Sequence, residues 1–369
     1  MRADVTIVSD LLEARLLAPE PHEAVRVALV IPLSGTLGMV GPGAVNCAKL
    51  AVAELNAGAG ILGRPVELVL VDGGRSPVEV TADVMSLVEA GAVRALVGSH
   101  ASDVRIALSR AIGGRLPFVY TPPYEGGEHT PGVYLSGETP ERQLLPVLRW
   151  FAECRGRKRW ALVGNDYVWP RRLHASAAGY LKSCGAEVVT ERHAPRGLTD
   201  PGPLLHAIAA SRADAVLLTL VGADLTLFNR AFAASPLAGR VIRLGAALEE
   251  NGLLGAGGDD TGELYASMGF FASMATDACA DFTERYTSSF GSPAPMLNGH
   301  AEAVYGGVRL LSALADRARS LDSAEIDVTS DGVSIMAGRG MLTVTHRHVA
   351  QSVHLARADG LAFDVVKTF

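Results

Sequence analysis

Apolar residues along this chain fall in two alternating textures. Short dense runs read as strands buried on both faces: VRVALVI at 25–31, VELVLVD at 66–72, RALVGSH at 94–100 and PFVYTPP at 117–123. Between them the apolar positions spread out to a helical period. AVNCAKLAVAELNAG at 44–58 is amphipathic and stops at Gly58, and 77–90 and 104–112 repeat the pattern. Strands joined in this way predict a parallel sheet covered by helices on both faces. After Val133-Tyr134-Leu135 and a helix over 140–154 the alternation restarts. Strands at 159–165, 186–192, 213–222, 241–248 and 262–271 enclose helices over 173–184, 203–211 and 225–234. A second lobe of similar build follows from this, with a cleft between the two. Helices over 275–290 and 300–318 come next, and 338–367 alternates like an antiparallel hairpin turning at Ala-Asp-Gly 358–360. The first 23 residues read as a tail, with Asp10 capping a short helix over 11–17 that Pro19 and Pro21 end.

Composition narrows the class. A chain of 369 residues is too long for one ordinary core and long enough for two. With 49% hydrophobic and 20% charged residues it is globular. A net charge of −6 gives no basic face for nucleic acid, which is discounted as a direct partner. Cys47, Cys154, Cys184 and Cys279 form no CxxC and no zinc-like spacing, so neither disulfides nor a cysteine metal site is expected. Asp4, Asp10 and Glu13 stand where a signal peptide would be apolar, and no run approaches the ~20 apolar residues of a membrane span. As it stands the sequence is expected in the cytoplasm, and outside it if a leader is missing.

The stretch WALVGNDYVWPRR at 160–172 carries the most chemistry. A strand ends in Gly-Asn-Asp and hands over to a helix, and in open parallel sheets ligands sit just beyond such ends. Tyr167 and Trp169 stand there, suited to a small polar organic ligand more than to phosphate, or else simply capping the core. Gly35, Gly38, Gly41 and Gly43 follow a strand and precede a helix. Their GxxGxxGxG spacing is not the dinucleotide GxGxxG, although Asp72 is placed where a ribose would need it. His346 and His348 would share one strand face, with His354 nearby, but no carboxylate or cysteine completes a metal set, and edge histidines are the simpler expectation. There is no GxSxG and no HExxH. Ser99 and His100, as strand neighbours, point to opposite faces, and Glu125 and Glu128 read as solvated loop charges before an acid–base pair.

Longer motifs carry a resemblance. IPLSGTLGMVGPGAVNCAKLAVAELNAGAGILGRPVELVLVD at 31–72 resembles the opening of type I periplasmic-type binding proteins. The branch is that of the branched-chain amino acid, amide and urea substrate-binding proteins of ABC transporters. TPPYEGGEHTPGVY at 121–134 and GNDYVWPRR at 164–172 are similar to its amide- and urea-binding subgroup, which includes the cytoplasmic amide sensor of the aliphatic amidase operon. SRADAVLLTLVG, HAEAVYGGVRLL and HRHVAQSVHLARADGLAFDVV extend the likeness from about residue 25 to the end. The resemblance implies two Rossmann-like α/β lobes with parallel sheets, joined by three hinge crossings and closing on a small ligand. The tail would be 1–24, the first lobe 25–135 plus 277–325, and the second 136–276 plus 326–369.

Carried over position by position, the resemblance implies ligand contacts from Ser99, His100, Ser102, Tyr120, Thr121 and Pro123 in the first lobe. The second would add Tyr167, Trp169, Thr219 and Val221. His100 stands where a phenol is usual, the subgroup's Pro-Thr-Pro is here Thr121-Pro122-Pro123, and Trp169 replaces a Tyr. Hydroxyls, amides and phenols suit an amide, a urea or a carboxylate. An amino acid would also need an anion for its ammonium, for which Glu249 or Glu250 is placed; two solvent-facing glutamates would favour a neutral ligand instead. The expected function is therefore non-enzymatic binding of a short amide, urea or amino acid for an ABC permease. The alternative is a cytoplasmic sensor acting on a regulatory protein; a nucleotide-dependent α/β enzyme ranks below both. No cofactor or metal is expected, and a homodimer is left open.

Overall fold

The computed structural model describes residues 5–18 and 23–369, which divide into two compact units. The first comprises Met1–Pro122, Gly127–Gly137 and Thr276–Gln351, the second Pro123–Gly126, Glu138–Ala275 and Ser352–Phe369.

The first unit opens with β1 (Ile7–Val8) and α1 (Leu11–Leu16), the latter capped by the Asp10 carboxylate accepting from the Leu12 and Glu13 amides. The expected capped helix is thus present, but its surroundings are not those of a tail: β1 pairs in parallel with β3 and extends the sheet. Pro19 and Pro21, the predicted stop signals, lie outside the described residues. Then come β2 (Val25–Ile31), α2 (Gly41–Ala57), β3 (Val66–Asp72), α3 (Pro77–Glu89), β4 (Ala95–Gly98), α4 (Ser102–Ile112), β5 (Phe118–Tyr120) and β6 (Val133–Leu135). Every residue of β2 is buried, as its unbroken apolar run requires of a strand covered on both faces. A Ser76–Glu79 capping box with Pro77 in the first turn fixes the start of α3, and Gly113 in the left-handed region (φ 56°) ends α4.

The second unit runs α5 (Pro140–Gln143), α6 (Leu145–Cys154), β7 (Arg159–Asn165), α7 (Val168–Ser183), β8 (Glu187–Ala194), α8 (Gly202–Ser211), β9 (Ala215–Thr219), α9 (Gly222–Ala233), β10 (Ile242–Gly245), α10 (Glu250–Ala256) and β11 (Leu264–Met268). The single helix predicted over 140–154 is broken at Leu144, next to a proline in the first turn of α6 that has no N–H for the ladder. Conversely α7 begins five residues before its predicted start, because Pro170 falls within the first turn, where no intrahelical donor is needed.

The chain then returns to the first unit as α11 (Asp277–Phe290), α12 (Gly299–Ala318), α13 (Ser323–Thr329), β12 (Ser334–Ala337), β13 (Gly340–Thr345) and β14 (His348–Ala350). It ends in the second as β15 (His354–Asp359) and β16 (Ala362–Thr368). The predicted hairpin over 338–367 is in fact two: β13 pairs with β14 in one sheet and β15 with β16 in the other. Residues 326–351, expected in the second lobe, belong to the first unit, where β14 lies beside β6. Pro123, expected in the first, belongs to the second.

Strand order is β1-β3-β2-β4-β5-β6-β14-β13-β12 in the first sheet and β16-β15-β11-β10-β9-β7-β8 in the second. From β2 the chain goes one way to β3 and then the other way to β4. From β7 it goes one way to β8 and then the other way to β9. Each sheet therefore has a switch point, at the carboxyl ends of β2 and β4 and of β7 and β9, where open α/β sheets bind ligands. Each unit also seals an ion pair almost wholly out of water, Glu302 with Arg339 in the first and Asp259 with Arg243 in the second.

Candidate functional site

At the switch point of the first sheet, Ser99 and His100 follow β4 and Ser102 opens α4. All three are buried. The Ser99 hydroxyl has no hydrogen-bond partner among the described residues. The helix that follows has Ala101 as its N-cap with no cap bond from that side chain, and the Asp103 carboxylate in its first turn accepts from the Val104 amide at 3.0 Å. His100 folds back over its own strand: a Cβ at Gly98 would lie 2.6 Å from its Nε2, so only glycine fits there. Its ring packs against Phe118 and Tyr120 (centroids 6.0 and 5.3 Å), and Nδ1–H donates to the Ala101 carbonyl at 3.2 Å. Burial pushes the imidazole down to about 4, so it is neutral at physiological pH. The Tyr120 hydroxyl donates to the His100 carbonyl (2.6 Å), and the Thr121 amide and hydroxyl both donate to the Gly98 carbonyl (2.9 and 3.3 Å). Tyr120 and Thr121 thus brace the loop, while Ser99 keeps a free polar atom. Ser136, just past β6, is a further buried hydroxyl without a hydrogen-bond partner among the described residues; a lone serine after a three-residue strand gave no sequence signal.

Other candidates on this unit have structural occupations. The Asp72 carboxylate accepts from the Leu33 amide (2.8 Å), the Ser34 hydroxyl (2.6 Å) and the Gly74 amide (2.8 Å). These bonds hold it below the usual carboxylate range against a desolvation push upward, and they tie down the glycine loop rather than a ribose. Glu128 forms an ion pair with the buried Arg105, whose guanidinium lies 5.5 Å from the Tyr120 ring centre. Glu125 is buried as well and belongs to the second unit, so the two glutamates are neither solvated loop charges nor a pair within one unit. His346 sits at φ 50° in the turn after β13, not on a strand with His348, and His354 is on β15 of the other unit.

The switch point of the second sheet is sewn together by side chains. Asn165, fully buried at the end of β7, accepts from the Val221 amide (2.9 Å) and donates to Asp224 (2.7 Å). Asp224 also accepts from the Gly197 and Leu198 amides (3.0 and 2.9 Å). Val221 caps α9 through its backbone, so it lends position rather than a donor. The Thr219 hydroxyl lies 2.8 Å from His174 Nε2, against Gly164, where a Cβ would collide with it at 2.1 Å. Its bonding capacity is turned inward. Over this framework stand the two aromatics, Tyr167 and Trp169, with centroids 6.4 Å apart and planes at 33°. The Arg196 guanidinium covers the Tyr167 ring at 4.9 Å. Trp169 is 3% exposed, yet its indole N–H has no hydrogen-bond partner among the described residues. Glu249 and Glu250, after β10, are both 4% exposed, and Glu250 accepts from the Ala272 amide at 2.7 Å.

Comparison with known proteins decides the family. A model of the periplasmic binding protein family matches residues 24–362. The chain belongs to that family. Among relatives of this periplasmic binding protein, the Leu/Ile/Val-binding protein BraC3 of Rhizobium johnstonii is 26% identical over 216 residues. That match covers 57% of this chain and 58% of BraC3. The Leu/Ile/Val-binding protein homolog 7 of Brucella melitensis biotype 1 is 22% identical over 341 residues, covering 86% and 83%. The crystal structure of an ABC-transporter solute-binding protein from Rhodopseudomonas palustris HaA2, in complex with p-hydroxybenzoic acid, superposes with a TM-score of 0.82 at 20% identity. It covers 94% of this chain and 97% of that one. The two mainly parallel α/β units are thus those of a type I periplasmic binding protein.

Proposed function

We propose that this periplasmic binding protein is the non-enzymatic substrate-binding partner of an ABC-type importer. Its ligand is a small polar molecule bearing a carboxylate, an apolar or aromatic amino acid ahead of a short amide or urea. The observation that supports this most is the pair of orphaned polar atoms, the Ser99 hydroxyl at one switch point and the Trp169 indole N–H at the other. A buried polar atom without a partner costs about 1–3 kcal/mol, and a ligand oxygen that accepts from it recovers that cost. Taken each by itself, the first unit offers the Ser99 and Ser102 hydroxyls as donors suited to a carboxylate, and the second offers Tyr167 and Trp169 as faces suited to an apolar or aromatic side chain. Neither Glu249 nor Glu250 faces solvent, so the condition for preferring an uncharged ligand is not met, which supports a ligand with an ammonium. BraC3, named for binding leucine, isoleucine and valine, and the fold neighbour holding p-hydroxybenzoate have in their names ligands that share a carboxylate.

A thermal-shift and calorimetric panel of leucine, phenylalanine, p-hydroxybenzoate, acetamide and urea tests the proposal. A carboxylate-bearing member at about 100 times its dissociation constant is expected to add roughly 2.7 kcal/mol of stability. Binding of acetamide or urea, with no response to any carboxylate, would overturn the ligand class.

A further inference from the structure

Among the described residues one group of side chains has the donor types of a transition-metal centre and no part in the ligand surfaces above: His174, Glu191 and His193. All three lie in the second unit. Glu191 and His193 are two apart on β8 and so share a face, and His174 comes down on them from α7. Glu191 Oε1 is 3.2 Å from His174 Nδ1 and 3.7 Å from His193 Nε2, and all three ligand atoms lie within 4.8 Å of one another. A tetrahedral zinc ion with bonds of about 2.0–2.1 Å needs its ligand atoms roughly 3.3 Å apart. His193 Nε2 is buried and has no hydrogen-bond partner among the described residues, so a ligand-competent nitrogen points into the group unspent.

We infer that His174 Nδ1, Glu191 and His193 Nε2 form a binding site for a divalent transition cation of the zinc type, with the fourth position open to water. Two imidazoles and a carboxylate suit zinc, cobalt or nickel and disfavour magnesium or calcium, which prefer oxygen. The next layer is also in place. Metal-bound histidines anchor their other nitrogen, and His174 Nε2 lies 2.8 Å from the Thr219 hydroxyl, itself 3.4 Å from the Val163 carbonyl. Without metal, Nδ1–H donates to Glu191 and the Thr219 hydroxyl donates to Nε2. With metal on Nδ1, the proton resides on Nε2, which donates to Thr219, whose hydroxyl turns to Val163. Gly164 makes room for this relay, because any side chain there would strike the Thr219 oxygen. The cation would tie α7, whose first turn carries Trp169, to β8, whose chain continues to Arg196 and thence to the Tyr167 ring. The site is therefore placed to stiffen the aromatic surface of the second unit.

The test uses the untagged full chain titrated with cobalt chloride, followed by its visible d–d absorption, and with zinc chloride by calorimetry. One saturable equivalent is expected, with zinc displacing cobalt. Glu191→Gln and His193→Ala alter partly exposed side chains and should each weaken cobalt binding at least tenfold while circular dichroism stays unchanged. Thr219→Val should change the cobalt spectrum with a smaller loss of affinity, and the exposed His206→Ala should change neither. No saturable uptake by the wild-type chain, or equal uptake by a Glu191→Gln/His193→Ala double variant, would overturn the inference.

Discussion

The two switch points are built from similar parts and held in opposite ways. In the first unit the end of β4 is braced through backbone acceptors: Tyr120 and Thr121 donate to carbonyls of the β4 loop, and the hydroxyl of Ser99 is left over. In the second, the end of β7 is locked through side chains, with Asn165, Asp224, Thr219 and His174 satisfying one another and the neighbouring amides. The polar groups there are spent on structure, and what is left over is aromatic surface plus one indole N–H. Under the proposed function the first surface would offer hydrogen-bonding atoms and the second would offer shape.

The contrast is broken most severely by removing the lock. Asp224→Ala strands one buried donor, on Asn165, and breaks two half-buried bonds from the Gly197 and Leu198 amides; with hydrogen bonds to a charged group worth about 1.5–3 kcal/mol when buried and less when half-exposed, the loss should reach roughly 4 kcal/mol in urea unfolding. The Ser99 hydroxyl has no partner among the described residues, so a Ser99→Ala control should leave the urea midpoint nearly unmoved. A smaller effect comes from pH. His100 has a folded pKa of about 4, lowered by burial, against about 6.5 when unfolded. Between these values the unfolded chain binds the extra proton, so stability falls as pH drops from 6.5 to 4 and is unaffected above. The contribution is about 3 kcal/mol over that window. His100→Phe, which keeps the stacking on Phe118 and Tyr120, should flatten the slope of unfolding free energy there. An identical slope in the variant would remove His100 as its source.

The alternation of dense and spaced apolar runs was enough to read two parallel-sheet units, because buried strands such as β2 must be apolar throughout. It failed where period cannot choose a partner. The 338–367 stretch alternates in the same way whether its strands pair with one another or divide between two sheets, as they do. Short edge elements such as β1, whose two residues are held only by β3, lie below any periodic signal. At the candidate site, sequence singled out Tyr167 and Trp169 from aromatics at a strand end, and Ser99 and Ser102 from the family pattern. It could not tell that Thr219 and Tyr120 spend their hydroxyls internally, since that depends on Gly164 and on the fold of the His100 loop. Asn165 and the Glu191-x-His193 pair were missed because a single polar residue in an apolar strand, or two on an edge strand, is legible only once its cross-strand neighbours are known.

The smallest expected effect sharpens the aromatic side of the contrast. Arg196→Ala removes a guanidinium from the Tyr167 face and should cost no more than about 1 kcal/mol of stability, seen as a slight shift in thermal midpoint.

The most direct measurement pairs stability with affinity in Ser99→Ala, which deletes an orphaned hydroxyl and little else, and in Trp169→Phe, which deletes the indole N–H together with part of a buried ring. If those atoms await a ligand, Ser99→Ala should be as stable as the parent or slightly more so. Both variants should bind the carboxylate ligand identified in the panel about tenfold more weakly, roughly 1.4 kcal/mol each by calorimetry. Lower stability with undiminished affinity would show that Ser99 and Trp169 serve the fold alone and would contradict the account.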